Sequence, residues 1–161
     1  MERDEPVQHA WPGFDCYGCG PANPDGIQLE SYLAEDGESL VATVEPDAQY
    51  TSGMENVAYG GYVASLVDCH SIWTAVTFAH EAEGRPLDEG PPISYVTGEL
   101  CVSYQEPTPL DRPIELRAWV EGDVGRKTTV TCEVSSGEEV TATGEVTAVR
   151  VADGSFDAGD D

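Results

Sequence analysis

The sequence predicts an α+β fold, with one long helix wrapped by a curved antiparallel sheet of about five to six strands. Three observations predict it. Only one stretch carries helical apolar spacing: Tyr62, Leu66, Cys69, Trp73 and Val76 step by three and four, and no Pro interrupts 61–80. The runs on either side of it alternate apolar and polar residues with period two, as half-buried strands do. The breaks between those runs are short and rich in Gly, Pro, Asp and Ser.

Taken in order, residues 1–26 include "WPGFDCYGCGPANPDG", dense in Gly and Pro, and read as an ordered loop covering the core or a cleft. In 27–45, "IQLESYL" and "SLVATVE" flank the turn "AEDGE", a hairpin whose second strand puts Leu40, Ala42 and Val44 on one face. The helix at 61–80 follows, then a loop, "EGRPLDEGPP", closed by Pro91 and Pro92. Four strands come next. The residues sharing one face in each are Val96, Leu100, Val102 and Tyr104; Ile114, Leu116, Ala118 and Val120; Thr128, Val130, Cys132 and Val134; and Val140, Ala142, Gly144, Val146 and Ala148. Short connections favour an antiparallel meander of these four. The single domain is 27–151, and 152–161, "ADGSFDAGDD", reads as a frayed acidic tail. A chain of 161 residues suits one core.

Acids outnumber bases 31 to 7, for a net charge of -24, and Lys127 is the only lysine. With no basic stripe to neutralise phosphates, nucleic acid is not an expected partner. At ~1 M salt the Debye length is only ~3 Å, so such a surface suits the multimolar salt of an extreme halophile. No window approaches the ~18–20 apolar residues of a membrane span, and "MERDEPVQHAWPG" has no apolar signal core. The expectation is a cytoplasmic chain without a membrane partner. Of five cysteines, Cys69, Cys101 and Cys132 lie in apolar patterns and read as packed thiols. Cys16 and Cys19 form a lone Cys-x-x-Cys. Zinc wants four ligands and His9 could add only a third, so neither metal nor cofactor is expected.

Asp68 interrupts the helix's apolar run, and its face-mates Gly61, Ala64, Ser65, Ile72 and Ala75 are mostly small. From position alone, a hydrogen-bonded interface acid and a reactive carboxylate both remain open. Gly60 and Gly61 precede it at the helix start, where free N–H groups and the helix dipole favour a developing oxyanion. His70 lies about 200° around the helix from Asp68 and reads as a packing residue, and His80 as a helix-end residue.

Together, "AYGGYVASLVD", "YVTGELCVSYQEPTPLDRPIELRAWVEGDVGRKTTVTCEV" and "VTATGEVTAV" resemble the PaaI-like hotdog-fold acyl-CoA thioesterases. That family has His-Gly-Gly at the helix start, Asp nine residues after the His, Thr or Ser opening the next strand, Tyr-x-x-Pro ending it, and Gly-Arg-Lys before the following one. Here Tyr59-Gly60-Gly61, Asp68, Thr97, Tyr104 with Pro107, and Gly125-Arg126-Lys127 stand at those places, with Tyr59 where the family has His. "CYGCGPANPDGIQL" resembles the opening of some members. The resemblance implies a hotdog fold and hydrolysis of a thioester to a carboxylic acid and free CoA. It gives Gly61, with Gly60, the carbonyl-polarising N–H. Asp68 of another subunit would activate water or attack, and Thr97 would orient that water. It therefore implies a homodimer or homotetramer, with acyl-CoA or another thioester as substrate. An Asn that some members carry is Gly53 here, which leaves Asn56 as the nearby substrate-binding candidate. Arg126 and Lys127 are candidates for the nucleotide end of CoA, and Arg85 and Arg112 lie in loops that could reach the same ligand. Alternatives are a hotdog enoyl-CoA hydratase and a non-catalytic acyl-ligand binding protein.

Overall fold

The apolar stripe at 61–80 makes its helix, and the computed structural model, which describes residues 4–156, places that helix, α1, at Gly60–Ala82. Around it the strands are β1 (Tyr32–Leu33), β2 (Ser39–Val44), β3 (Tyr95–Tyr104), β4 (Ile114–Glu121), β5 (Lys127–Ser136) and β6 (Glu139–Arg150). They form one antiparallel six-stranded sheet in the order β1-β2-β4-β5-β6-β3, the hotdog arrangement. Tyr62, Leu66, Trp73 and Val76 of α1 meet Leu40, Ile114, Leu116, Val130, Val134 and Val146 in the core. Each such aliphatic side chain stabilises the fold by about 1.5–3 kcal/mol through burial.

The expected four-strand meander holds only for β4, β5 and β6. β3 does not pair with β4; it joins β6 at the far edge of the sheet. Strands lie about 4.8 Å apart, so β3 and β4 are roughly 14 Å apart across β5 and β6. Residues 105–113, with three prolines, bridge that gap. The first hairpin is also shorter than expected. Residues 27–31 do not extend β1, because the N–H groups of Ile27 and Leu29 bond to the carbonyls of Tyr17 and Gly18 instead.

Two bulges reset the period-two reading. In β3, Thr97 pairs with Ala148 but Glu99 with Thr147, which leaves Gly98 as an extra residue. Thr97, Leu100, Val102 and Tyr104 therefore share the helix-facing side, and Val96 takes the opposite one. In β6, Val134 pairs with Ala142 and Ser135 with Val140. Thr141 turns inward, fully buried against Thr108, while Val140 is left exposed.

The N-terminal segment packs on the helix. Trp11 packs against Trp73 at a tilt, with centroids 4.5 Å apart, and donates its indole N–H to Leu87 O at 3.0 Å. The chain past 151 is not frayed where the structure describes it. Phe156 packs edge-on against Phe14, and Asp153 joins Arg85, Arg150 and Glu83 in an ion network. The remainder of the expected tail, from 157, lies outside the described residues. No helix among the described residues is long and apolar enough to cross a membrane.

Candidate active site

The start of α1 leaves donors free. Tyr59 is the N-cap, in extended conformation, with no side-chain cap and no acid in the first turn. Its carbonyl accepts from the N–H of Tyr62 at 3.1 Å and of Val63 at 3.4 Å. The N–H groups of Gly60 and Gly61 have no partner within the helix. The Tyr59 ring lies against this turn: a Cβ on Gly61 would sit 2.7 Å from Tyr59 Cε2, so a side chain there would have to displace the ring. Tyr104, at the end of β3, donates its hydroxyl to Gly60 O at 2.6 Å and pins the helix start to the sheet edge.

Two turns on, Asp68 is half-buried, and its Oδ1 accepts from Thr97 Oγ1 at 2.6 Å. The Gly98 bulge makes this contact possible by keeping Thr97 on the helix side. Asp68 and Thr97 stand at an apolar cavity of about 380 Å³ whose walls include Ile72, Trp73, Val76, Tyr95, Trp11 and Phe14. A charge-assisted bond from Thr97 orients the carboxylate and leaves Oδ2 without a protein donor among the described residues. Gly61 and Asp68 are seven residues apart, about 10.5 Å along the axis. One thioester carbonyl cannot touch both in a single chain.

The other expected site residues lie elsewhere. Asn56 adopts a left-handed φ of 56° and accepts from Leu110 N at 3.0 Å. It also holds the Asp111 carboxyl below the usual range, aided by Arg112, in a groove separate from Asp68. Arg126 and Lys127 are exposed at the start of β5, and Lys127 sits in register with Val149 on the sheet face opposite Thr97. Neither forms an ion pair among the described residues, whereas Arg85, Arg112, Arg117 and Arg150 all do. Arg85 and Arg112 are thus ion-pair partners of nearby acids. His70 does not meet Asp68: it is fully buried between Ser31 Oγ, 2.8 Å from Nδ1, and Leu40 O, 3.1 Å from Nε2. Burial pushes its pKa down to about 4 and keeps it neutral.

One group escaped the sequence reading. Cys69, placed there on the core stripe, meets Cys16 and Cys19 in a cluster whose sulfurs all lie within 4.8 Å of one another. The Cys19 and Cys69 thiols, in that order, hold the Cys16 thiol far below the ordinary range, while sharing with Cys16 pushes theirs up. The cluster lines the same cavity as Asp68. Cys69 sits directly beside Asp68 in sequence, and that adjacency to a Cys-x-x-Cys segment folded over the helix was the available signal. Cys101 is exposed rather than packed, because it lies on the sheet face turned away from the helix, paired with exposed Glu145.

No family model and no curated protein matches the chain. Solved structures do. A thioesterase superfamily protein from Shewanella loihica is 28% identical over 81% of this chain and 97% of its own, with a TM-score of 0.62. The PaaI protein from the phenylacetic acid degradation operon of E. coli is 14% identical over 79% of this chain and 82% of its own, with a TM-score of 0.62. A hypothetical thioesterase from Streptococcus pneumoniae, solved with coenzyme A, is 13% identical over 78% of this chain and 90% of its own, also with a TM-score of 0.62. The structural neighbours are thus thioesterase-superfamily proteins of the hotdog fold.

Proposed function

We propose that this chain is an acyl-CoA thioesterase that hydrolyses a thioester to a carboxylic acid and free CoA. The observation that carries the reading is the Thr97–Asp68 hydrogen bond at the mouth of an apolar cavity. The neighbour solved with coenzyme A supports the same ligand class. Asp68 Oδ2 takes a proton from water as the water oxygen attacks the thioester carbon, or attacks that carbon itself to give an anhydride that water then opens. The N–H of Gly61 holds the oxygen that becomes negative. The C–S bond then breaks, and the thiolate leaves and is protonated by solvent. Thiol release across a panel of acyl-CoAs, in multimolar potassium chloride to suit the acidic surface, tests the reading; no release from any of them would overturn it.

Tyr59 favours a second reading. Its ring covers the turn at Gly61 where the related family has His, and that arrangement suits a protein that holds acyl ligands without turning them over. A rise in melting temperature with acyl-CoA but no thiol release is the result specific to that binder.

The helix geometry also calls for a second chain. Since Gly61 and Asp68 are too far apart within one helix, a complete site needs an antiparallel copy of α1 alongside. β3 offers the seam: it is an edge strand with Val96, Leu100 and Tyr104 exposed at 39%, 37% and 53%. Such an edge invites pairing. Sedimentation is expected to give a dimer or a tetramer of the 17.2 kDa chain. A monomer as the sole species removes the shared site.

Among the described residues, Arg126 and Lys127 are the cations outside any ion pair and are the candidates for the phosphates of CoA. Changing both to Gln is expected to raise KM for acyl-CoA several-fold with kcat nearly unchanged, the signature of lost uniform binding. Hydrolysis of a phosphate-free N-acetylcysteamine thioester should be unaffected. Equal damage to both substrates would assign the pair a structural role.

A further inference from the structure

We propose that Cys16, Cys19 and Cys69 form a three-thiolate zinc site whose fourth coordination position opens into the cavity beside Asp68. This goes beyond the proposed hydrolysis, which uses no metal. The three sulfurs come from two separate parts of the chain, a loop and a helix, yet all lie within 4.8 Å of one another. Zinc–sulfur bonds of about 2.3 Å in a tetrahedron place sulfurs roughly 3.8 Å apart, so a small contraction closes the cluster on the ion.

The loop around the first two thiols is pinned in place: the Gly20 N–H bonds to Cys16 O at 2.8 Å, and the N–H groups of Ile27 and Leu29 bond to the carbonyls of Tyr17 and Gly18. Trp73 donates its indole N–H to Cys19 Sγ at 3.2 Å. Outer donors of this kind offset thiolate charge and fix ligand orientation around a metal. Two glycines make the convergence possible. A Cβ on Gly18 would lie 2.3 Å from Cys69 Sγ, and a Cβ on Gly20 would lie 2.3 Å from Cys16 N.

The donor set selects the ion. Three soft thiolates suit zinc, and the carboxylate-preferring cations that a chain of charge -24 attracts to its surface do not compete for them. His9, the third ligand the sequence offered, is paired with Glu30 instead. Zinc binding would release the protons of all three thiols to solvent, and the fourth position would be filled by water from the cavity. The ion then clamps the N-terminal segment onto α1 across the cavity wall.

The test uses the full chain, reduced and freed of metal, with zinc as the probe in competition with a chromophoric chelator. One equivalent is expected to bind tightly. Cys16→Ser, Cys19→Ser and Cys69→Ser should each weaken binding on the order of 100-fold, and Cys101→Ser should leave it unchanged. Cobalt in place of zinc should show sulfur-to-metal charge-transfer absorption in the wild type, lost in the three variants. Zinc should raise the melting temperature of the wild type and not that of Cys69→Ser, with circular dichroism confirming that each variant is folded. Failure of the wild type to retain about one equivalent against the chelator would overturn the proposal. So would a cobalt spectrum without sulfur charge transfer, which marks surface carboxylates as the binders, or a Cys16–Cys19 disulfide that persists when zinc is supplied.

Discussion

Asp68→Asn is expected to lower turnover of acyl-CoA at least ~100-fold, the lower end for losing a positioned base or nucleophile. Asn keeps the shape of Asp, and its side-chain oxygen can still accept the Thr97 hydroxyl. The fold and the cavity therefore survive, which circular dichroism and retained ligand binding would show. What disappears is a basic, negatively charged oxygen aimed into the cavity. The fall should be in kcat more than in KM. Wild-type-like thiol release from the folded variant removes Asp68 from the chemistry. A mixing experiment extends the test to the shared site. Gly61→Val places a side chain against Tyr59 and should also inactivate. When the two inactive variants are mixed, half of the dimers are mixed and each carries one intact site, so about a quarter of wild-type activity should return. No recovery despite subunit exchange would refute a site shared between Gly61 of one chain and Asp68 of the other.

A second large effect is expected in acid. His70 has an ordinary value of 6.5 and a folded value near 4, lowered by burial. Between those values the unfolded chain binds a proton that the folded chain refuses. Stability is therefore full above pH 6.5 and is lost as pH falls toward 4, by roughly 3 kcal/mol at the lower end. His80 is shifted in the same direction, mainly by burial, and adds to the slope. The depressed carboxyls of Asp36, Glu83, Asp111 and Asp153 act in the same sense at lower pH. Urea midpoints at pH 7 and pH 4.5 would measure the loss. His70→Asn should flatten the slope while lowering stability at pH 7. Equal slopes in wild type and variant would refute the buried-histidine account.

Much of this molecule was legible because local periodicity records which face a residue takes. The stripe from Tyr62 to Val76 located α1, and alternation located β2, β4, β5 and β6. Asp68 stood out as the acid in the helix's apolar run and Thr97 by resemblance, and the structure joins them by a hydrogen bond. Periodicity does not record partners. Nothing local to β3 says that β6 lies beside it rather than β4. Nor can period two survive an inserted residue, so the bulges at Gly98 and Thr141 separate Val96 and Val140 from the sets whose face they were expected to share. Cys69 looked like core because its spacing is that of core. Its meeting with Cys16 and Cys19 depends on the path of a loop some fifty residues away in sequence, set by glycines whose role is steric.

The strand order also has a consequence for how the chain is made. β6 is the last of these six strands to leave the ribosome, yet it lies inside the sheet, between β5 and β3. Until residues 139–150 emerge, β3 has no partner on either edge and Thr97 has no fixed place beside Asp68. The nascent chain can form α1 and the β2-β4-β5 part of the sheet, but its apolar groove stays open on one side. Closure is thus a late, long-range event of the kind that slows folding and leaves sticky surface exposed on the way. A polypeptide halted before residue 139 would hold every proposed catalytic group in its sequence and still have no active site.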